Sequence, residues 1–309
     1  MGALSSLFDT IVAKPCADFV ACRDHEFKRD CRAALDDAWR RHRVICPEGD
    51  EFVRHFQLEF HQRSWELWLM SVLSASGLRL EPPPSEGPDI LVRQPTGPKL
   101  WIEAVVPTPG AENTPDRVWQ RPPGDAGPFK GPRCEHVALR YLSAIRDKLA
   151  KLSKYRERGI VGEDDACLVA VGQGAILDGD LCDLEVPLMV RAVFGIGSPL
   201  LVVPFYGEGE PYSKTPPMPT VAKASGAAVP ATGFLDGSAS GLAGVLFAQH
   251  AVWNLDWNAN RSLRIVHNPT ATVPLGRGTV SAYCEMWVED GFLHHSGCCS
   301  RFGFYSVGS

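Results

Sequence analysis

The chain has 309 residues, of which 45% are hydrophobic and 22% are charged, and its formal net charge is -5. These values are typical of a globular protein with enough residues for one large domain or two small ones. No stretch approaches the ~20 consecutive apolar residues that span a bilayer, and residues 1–16 lack a basic segment leading into a long apolar run. This pattern excludes a membrane-spanning protein, and we expect a cytoplasmic one.

The cysteine pattern gives a second expectation. Ten cysteines are scattered along the chain without a repeating spacing. In a cytoplasmic protein such cysteines are reduced thiols and small core residues, not a disulfide framework. The sequence therefore predicts no redox chemistry.

Two amphipathic helices are predicted in the first part of the chain. The first covers residues 19–43 and belongs to an N-terminal helical segment, residues 1–48. The second covers residues 49–76, and Gly77 is expected to end it.

The next segments alternate between strands and a helix. Apolar runs predict strands at 89–94 and 99–106, joined by a turn at "QPTGP". After a loop rich in Pro and Gly, helical periodicity resumes at 133–157, and apolar runs at 166–172 and 199–205 predict buried strands. This order predicts an α/β fold with a mixed central sheet flanked by helices, and we assign the core to residues 49–205.

The remaining residues, 206–309, are predicted to form a loop-rich C-terminal extension packed on the core. Residues 206–240 are rich in Gly, Ser, Ala and Pro, which indicates a long mobile loop. Ordered patterns return at 241–255, 263–269 and 279–288.

Two acidic residues stand out in the predicted hairpin "GPDILVRQPTGPKLWIEAVVP", residues 87–107. A turn centred near Thr96 and Gly97 places Asp89 opposite Glu103 and Ala104, with facing β-carbons ~5 Å apart. Two carboxylates at that separation repel by about 3 kcal/mol at an effective dielectric constant of 20. A divalent cation would turn this repulsion into attraction, and such oxygen ligands suit Mg²⁺ or Mn²⁺. The alternative is that both residues lie at strand ends facing water.

A basic stretch follows within the helix predicted at 133–157. Residues 140–158 carry seven cations against Asp147 and Glu157: Arg140, Arg146, Lys148, Lys151, Lys154, Arg156 and Arg158. A local basic stripe in an acidic protein is either a solvated surface or a place that holds phosphates.

These residues together resemble the PD-(D/E)xK nuclease superfamily, which includes restriction endonuclease-like proteins. The signature of that superfamily is a helix bearing a glutamate, a hairpin with Pro-Asp on one strand and Glu-x-Lys on the next, and a following helix with polar or basic residues. Pro88-Asp89 matches the first strand motif, Glu103 matches the acidic position of the second, and Glu66 occupies the helical position. The chain departs from the signature at Val105, because the Glu-x-Lys motif here is Glu-Ala-Val.

The resemblance implies a restriction endonuclease-like core with Mg²⁺ or Mn²⁺ as cofactor. It implies Asp89, Glu103 and Glu66 as metal-binding and catalytic carboxylates. From the residues alone, Glu66 also has an ordinary interpretation, since Glu59, Arg63 and Glu66 share one helix face and can form a salt-bridge ladder.

The missing motif lysine needs a substitute. Lys99 lies on the Glu103 face of its strand, but four residues at ~3.3 Å each place it about 13 Å away. Arg140, Ala144 and Lys148 recur on one helical stripe, with Lys151 adjacent. In the resembled fold the helix after the hairpin packs beside the site, so the resemblance implies that this helix supplies the cation. We therefore expect Lys148 to be the relocated catalytic lysine, Arg140 to clamp a phosphate, and Lys151 and Lys154 to contact nucleic acid. The alternative is that these cations are solvated surface charges.

Two functions remain open at this stage. The first is a metal-dependent nuclease, acting on DNA more than on RNA, in restriction or bacterial defence. The second is a degenerate member of the same fold that binds nucleic acid or protein without cutting it, because fold alone does not determine function. The resemblance also implies a homodimer.

Overall fold

The computed structural model describes residues 6–9, 12–46, 49–94, 97–121, 131–176, 179–183, 186–203, 212–248, 257, 261–297 and 305–306. The helices are α1 Ala17–Asp24, α2 Arg29–His42, α3 Asp50–Leu58, α4 Phe60–Ala75, α5 Cys134–Glu157 and α6 Leu188–Phe194, with short 3-10 helices at Glu26–Lys28 and Gly179–Cys182. The strands are β1 Arg79–Glu81, β2 Ile90–Arg93, β3 Leu100–Val105, β4 Ala166–Gly172, β5 Leu200–Val202, β6 Tyr212–Lys214, β7 Thr220–Ala222, β8 Ala228–Pro230, β9 Gly244–Ala248, β10 Leu263–His267, β11 Cys284–Glu289, β12 Phe292–Gly297 and β13 Tyr305–Ser306.

A large mixed sheet forms the centre of the α/β fold. Its strand order is β1-β2-β3-β4-β9-β10-β11-β12-β13. Strands β3, β4 and β9 run parallel to one another, and β1, β2 and β3 are joined antiparallel. Helices cover both faces of the sheet, as the sequence predicts.

The alternation of side chains in β3 separates these two faces. Leu100, Ile102 and Ala104 are buried in the core that includes α1 to α4. Trp101 is buried in the core on the opposite face, which includes α5 and α6. Because side chains alternate along a strand, Glu103 points to the same face as Trp101, toward α5.

The predicted elements around the hairpin match the structure closely. The strands expected at 89–94 and 99–106 are β2 and β3, and the helix expected at 133–157 is α5. Strand β4 coincides with the apolar run at 166–172. Gly77 follows the end of α4 with φ of 83°, a conformation that favours glycine, so it ends the helix as expected.

Two long helices predicted from periodicity are interrupted in the structure. The helix expected at 49–76 divides into α3 and α4 at Glu59, whose φ of -123° and ψ of 48° are not helical. The helix expected at 19–43 divides into α1 and α2 around a short 3-10 helix. The hydrophobic periodicity of a segment indicates which face is buried. It does not show where one residue with a non-helical backbone interrupts the helix.

The hairpin is internal to the sheet but does not lie at its middle. Strands β2 and β3 are second and third from one edge, and β1 covers β2. Strand β1 was not predicted from the sequence, because it has only three residues, two of which are the charged Arg79 and Glu81. The centre of the sheet is displaced because β9 to β13 add five strands beyond β4.

This continuation corrects the expectation for residues 206–309. They were expected to pack on the core as an extension, but β9 pairs in parallel with β4 and continues the same sheet. Within the expected mobile loop, β7 and β8 form a hairpin whose Val221 and Val229 are buried. Residues 204–211 lie outside the described residues.

The strand predicted at 199–205 is also different from the expectation. Its described part is β5, which pairs with β6 in a separate two-stranded sheet. Leu200 and Leu201 are 54% and 71% exposed, so the run is not the buried strand that its composition indicated.

Side-chain hydrogen bonds fix α4 and α5 against the sheet. Trp65 Nε1 of α4 donates to the Ala170 carbonyl of β4 at 3.1 Å. Arg156 near the end of α5 donates to the carbonyls of Gly241 and Asp165 at 3.0 and 3.1 Å. These contacts hold α4 and α5 against the segment around β4, the strand that pairs with β3 of the hairpin. Among the described residues, none of the helices is both long and apolar enough to cross a membrane.

Candidate functional site

The hairpin register brings the two predicted carboxylates level with each other. Ile90 pairs with Ile102 and Leu91 pairs with Trp101, so the same register extended by one residue places Asp89 opposite Glu103. Asp89 Oδ2 accepts a hydrogen bond from the Ala104 backbone N–H at 2.8 Å. This bond holds the Asp89 side chain across the hairpin. The pairing predicted from the turn position is therefore confirmed.

Lys148 lies between these carboxylates. Its Nζ is 2.5 Å from Glu103 Oε2 and 3.5 Å from Asp89 Oδ2. The side chain of Lys148 is 18% exposed, and that of Glu103 is fully buried. Lys148 is thus a half-buried cation paired with two carboxylates, and not a solvated surface charge.

The position of Lys148 on α5 is unusual for a lysine. The helix buries an apolar stripe that includes Tyr141, Ala144, Ile145, Leu152 and Tyr155. Lys148 falls one turn after Ala144 and one turn before Leu152, where the stripe requires an apolar residue. The helix accommodates the ammonium group there because the carboxylates on the sheet neutralise it.

Lys151 gives Glu103 a second cationic partner. Its Nζ is 3.1 Å from Glu103 Oε1, and its side chain is 43% exposed. It also lies 5.5 Å from the centre of the Tyr155 ring. Burial acts to lower the pKa of Lys151, but the Glu103 carboxylate, with Tyr155 and Asp89, raises it above its ordinary value. Lys151 therefore remains charged.

The Glu103 carboxylate is held in an unfavourable environment. Burial raises its pKa, and the nearby Asp89 raises it further, whereas Lys148 and Lys151 act in the opposite direction. The direction of the net change is upward, so the two lysines do not fully compensate for lost hydration. Burying this charge costs free energy of folding, so Glu103 is a candidate functional residue and not a simple stabilising contact.

Glu66 lies beside Asp89 in a network of its own. Gln62 Nε2 donates to Glu66 Oε1 at 2.8 Å and to the Ala104 carbonyl at 3.1 Å, and Gln62 Oε1 accepts from the Val106 N–H at 2.8 Å. Gln62 thus ties α4 to the end of β3. Arg63 Nη1 donates to Glu66 Oε2 at 2.9 Å.

The salt-bridge ladder considered for Glu66 is present in the structure. Arg63 contacts both Glu66 and, at 3.8 Å, Glu59. However, the Glu66 side chain is only 7% exposed, so it is not a surface residue. Burial raises the pKa of Glu66 to about 7, with Arg63 opposing the change and Asp89 adding to it.

This raised pKa leads to a prediction on stability. The unfolded chain releases the Glu66 proton near pH 4.5 and the folded chain near pH 7, so folding loses stability as pH rises through this window. Glutamine cannot ionise. Glu66→Gln should therefore gain stability relative to the native protein between about pH 5 and about pH 8, by at most about 3 kcal/mol.

Urea unfolding at both pH values measures this difference. Glu59→Gln is the matched control, because Glu59 contacts the same Arg63 but its side chain is 55% exposed. A Glu66→Gln difference that does not change with pH would show that the buried carboxyl does not titrate in this range.

A cavity of about 250 Å³ opens onto this group of residues. Its lining includes Arg63, Glu66, Asp89, Lys151 and Tyr155. Because Lys151 lines the cavity and also contacts Glu103, the buried carboxylate is one side chain away from the open space. The cavity therefore presents both acidic and cationic groups to a ligand.

The other predicted cations do not join this group. Arg140 Nη2 donates to the Asp116 carbonyl at 3.2 Å, so its guanidinium packs beneath the loop at 107–121. Lys154 is exposed. Lys99 Nζ lies 5.5 Å from the centre of the Trp101 ring. Of the basic residues expected at the site, the structure brings Lys148 and Lys151 to the carboxylates.

The donor set fits a hard divalent cation at two carboxylates. Mg²⁺ commonly binds proteins through one or two carboxylates and keeps several waters. Asp89 and Glu103 supply only oxygen donors, and the buried Glu103 Oε1 receives no hydrogen bond of good geometry. Within the described part of the chain, no group of three or more His, Cys, Asp or Glu side chains is arranged to hold a metal ion. The arrangement therefore supports Asp89 and Glu103 as the two carboxylates that can bind one cation. Glu66 is not part of this pair.

Two residues of this site, Gln62 and Tyr155, were not predicted from the sequence. Gln62 precedes Glu66 by one helical turn, and that spacing is a signal for a side-chain contact. Tyr155 follows Lys151 by one turn of α5, and the centre of its ring lies 5.5 Å from Lys151 Nζ.

No protein-family model, curated protein or solved structure matches this chain.

Proposed function

We propose that this protein is a metal-dependent nuclease of the PD-(D/E)xK type, which hydrolyses phosphodiester bonds in DNA. The observation that carries the proposal is the position of Lys148, whose ammonium group lies 2.5 Å from Glu103 and 3.5 Å from Asp89. Lys148 of α5 thus contacts Asp89 and Glu103. The motif that contains Glu103 has Val105 where the resembled family has lysine.

The order of elements supports the same proposal. Helix α4 carries Glu66, the hairpin of β2 and β3 presents Asp89 and Glu103, and α5 follows with Lys148. This is the order of the signature that the sequence resembles. The proposal includes a restriction endonuclease-like core, formed by α4, β1 to β3, α5 and β4.

The chemistry assigns a role to each residue. Asp89 and Glu103 would hold the Mg²⁺ or Mn²⁺ ion, which supplies an activated water and neutralises charge on the phosphate. Lys148 stabilises the negative charge that develops on the phosphate in the transition state. Lys151, at the cavity, contacts a phosphate oxygen of the substrate. Glu66 orients water beside Asp89.

A nuclease assay tests this proposal directly. Purified protein is incubated with plasmid, linear duplex, single-stranded DNA and RNA in Mg²⁺, in Mn²⁺ or in EDTA. We expect cleavage of DNA that requires the metal and is absent from an Asp89→Asn variant prepared in parallel. Inactivity on all four substrates, with the protein folded, would overturn the proposal. Light scattering of the same samples checks the expected homodimer.

A second candidate function has a specific observation in its favour. Two ammonium groups, those of Lys148 and Lys151, already neutralise Glu103. This arrangement suits a degenerate module that binds nucleic acid or protein without cleavage. The discriminating measurement is the melting temperature with and without Mg²⁺ or Mn²⁺, because an ion that binds the folded state raises it. No shift with either ion favours this second function.

A further inference from the structure

A pair of cysteines lies at the beginning of α5, remote from the carboxylates. Cys134 is the first residue of this 24-residue helix, and Cys182 ends the 3-10 helix Gly179–Cys182. Cys182 Sγ lies 3.8 Å from the carbonyl oxygen of Pro132, two residues before Cys134. The Cys134 and Cys182 thiols lie close enough to influence each other. Sulfurs in contact are the first requirement for a disulfide.

Arg191 of α6 contacts Cys182 and lies near Cys134. It is 1% exposed. Its Nη2 donates to the Cys182 carbonyl at 2.6 Å and its Nη1 donates to Ser198 Oγ at 3.0 Å. The positive charge of the guanidinium also acts on the Cys134 thiol. A fixed buried cation next to a sulfur favours the thiolate.

The helix terminus acts in the same direction. The side chain of the N-cap residue Arg133 makes no capping hydrogen bond to the first turn of α5. The dipole of this helix favours a negative charge at its first residue, Cys134.

The two thiols therefore differ. The contact with Cys182 and the charge of Arg191 lower the pKa of Cys134 to about 7, against burial and Glu135. The contact with Cys134 and burial raise the pKa of Cys182, and Asp183 adds to the change. Cys134 is half-buried, whereas Cys182 is 1% exposed.

We propose that Cys134 is a modification site for hydroperoxides, and that Cys182 is the thiol that resolves the product to a Cys134–Cys182 disulfide. The pair has the asymmetry that this chemistry needs, which is an accessible sulfur beside a cation and a buried partner in contact with it. The proposal is independent of the proposed nuclease function. It also replaces the expectation of no redox chemistry.

The reaction has two balanced steps. In the first, the Cys134 thiolate attacks one peroxide oxygen, the S–O bond forms, the O–O bond breaks, and the leaving hydroxide or alkoxide takes up a proton. Cys134 is thereby oxidised to the sulfenic acid and the peroxide is reduced. In the second, the Cys182 sulfur attacks the Cys134 sulfur, the S–S bond forms, the S–O bond breaks, and hydroxide leaves with the Cys182 proton as water.

Hydrogen peroxide is the probe for the test. Reduced, desalted full-length protein is treated with it, digested and mapped by mass spectrometry. We expect a peptide that joins Cys134 to Cys182. Peptide mapping is needed because Cys22 and Cys31 are a second pair of thiols in contact. Absence of the joined peptide while other cysteines of the same sample are oxidised would overturn the proposal.

Two variants separate the two roles. In Cys182→Ser, the sulfenic acid on Cys134 should persist and react with dimedone. In Cys134→Ser, dimedone should not label Cys182, because a thiol that is 1% exposed is not accessible to the peroxide. Equal labelling of the remaining thiol in both variants would contradict the assigned roles.

The pH dependence of alkylation gives a readout without any oxidant. The rate of reaction of Cys134 with iodoacetamide should have its midpoint near pH 7, below the value of about 8.5 of a free thiol. Glu135→Gln removes an exposed charge that raises the Cys134 pKa, so it should move the midpoint to lower pH. A midpoint at the free-thiol value would contradict the proposal.

Discussion

Replacing Lys148 with methionine is expected to lower Mg²⁺-dependent hydrolysis of DNA by about two orders of magnitude or more. Methionine keeps most of the length of the side chain and removes the ammonium group. The ammonium is the cation nearest to both carboxylates, at 2.5 Å from Glu103 and 3.5 Å from Asp89. Its loss removes charge stabilisation where the phosphate of the substrate would react.

Measuring the metal affinity of Lys148→Met shows whether the variant has lost the catalytic cation or the metal site. The Lys148 ammonium would compete with the proposed metal ion for the same carboxylate oxygens, so Lys148→Met should bind Mg²⁺ or Mn²⁺ as tightly as the native protein or more tightly. Lys154→Met is the matched control, because Lys154 lies on the same helix but is exposed. Cleavage at the native rate by Lys148→Met would exclude Lys148 as the catalytic cation.

A purely structural role for Lys148 predicts a different result. Removing one partner of a buried pair is destabilising when the remaining charge has no compensation. Here Glu103 retains Lys151 at 3.1 Å, and its already raised pKa allows it to take up a proton. We therefore expect Lys148→Met to remain folded in urea unfolding. A large loss of stability without any metal-dependent cleavage in the native protein would favour the structural role.

The sequence was sufficient to predict the neighbourhood of the site. Apolar runs identified β2, β3 and β4, and turn residues fixed the hairpin register to within one residue, so Asp89 and Glu103 were correctly paired. The spacing of α5 also predicted that Lys148 shares a stripe with Ala144. These predictions succeeded because each depends on a local period of a helix or a strand.

Contacts between distant segments were not predictable in the same way. Arg140 lies on the predicted stripe, but the loop at 107–121 reaches over it, and the Asp116 carbonyl accepts its hydrogen bond. Of the five strands beyond β4, β9 to β11 were predicted only as ordered patterns, and β12 and β13 were not predicted. Their place in the sheet depends on the pairing of β9 with β4, which is distant in the sequence. Strand β1 was not predicted because three residues are too few to show the alternation of a strand.

Asp89→Asn and Glu103→Gln should each abolish the binding of Mg²⁺ or Mn²⁺. Each change removes a charged ligand of the proposed metal ion. The affinity should therefore fall by more than the roughly 10- to 100-fold that follows the loss of an outer-shell partner of a metal ligand. The amide substitutions are preferable to alanine, because the asparagine side chain introduced by Asp89→Asn keeps an oxygen that accepts the hydrogen bond from the Ala104 N–H. Titration calorimetry measures the affinity.

Glu103→Gln should leave the fold intact. A loss of metal binding in this variant can then be assigned to the lost ligand and not to unfolding. Burial and Asp89 raise the pKa of Glu103, so its ionised form opposes folding at neutral pH, and an uncharged glutamine removes that opposition. Lys148 then retains Asp89 as its partner. Glu81→Gln provides a matched control, because Glu81 pairs with Arg93 on neighbouring strands of the same sheet, away from Lys148. If Glu103→Gln and Asp89→Asn both bind metal with native affinity, these carboxylates are not the ligands and the nuclease proposal fails at its first step.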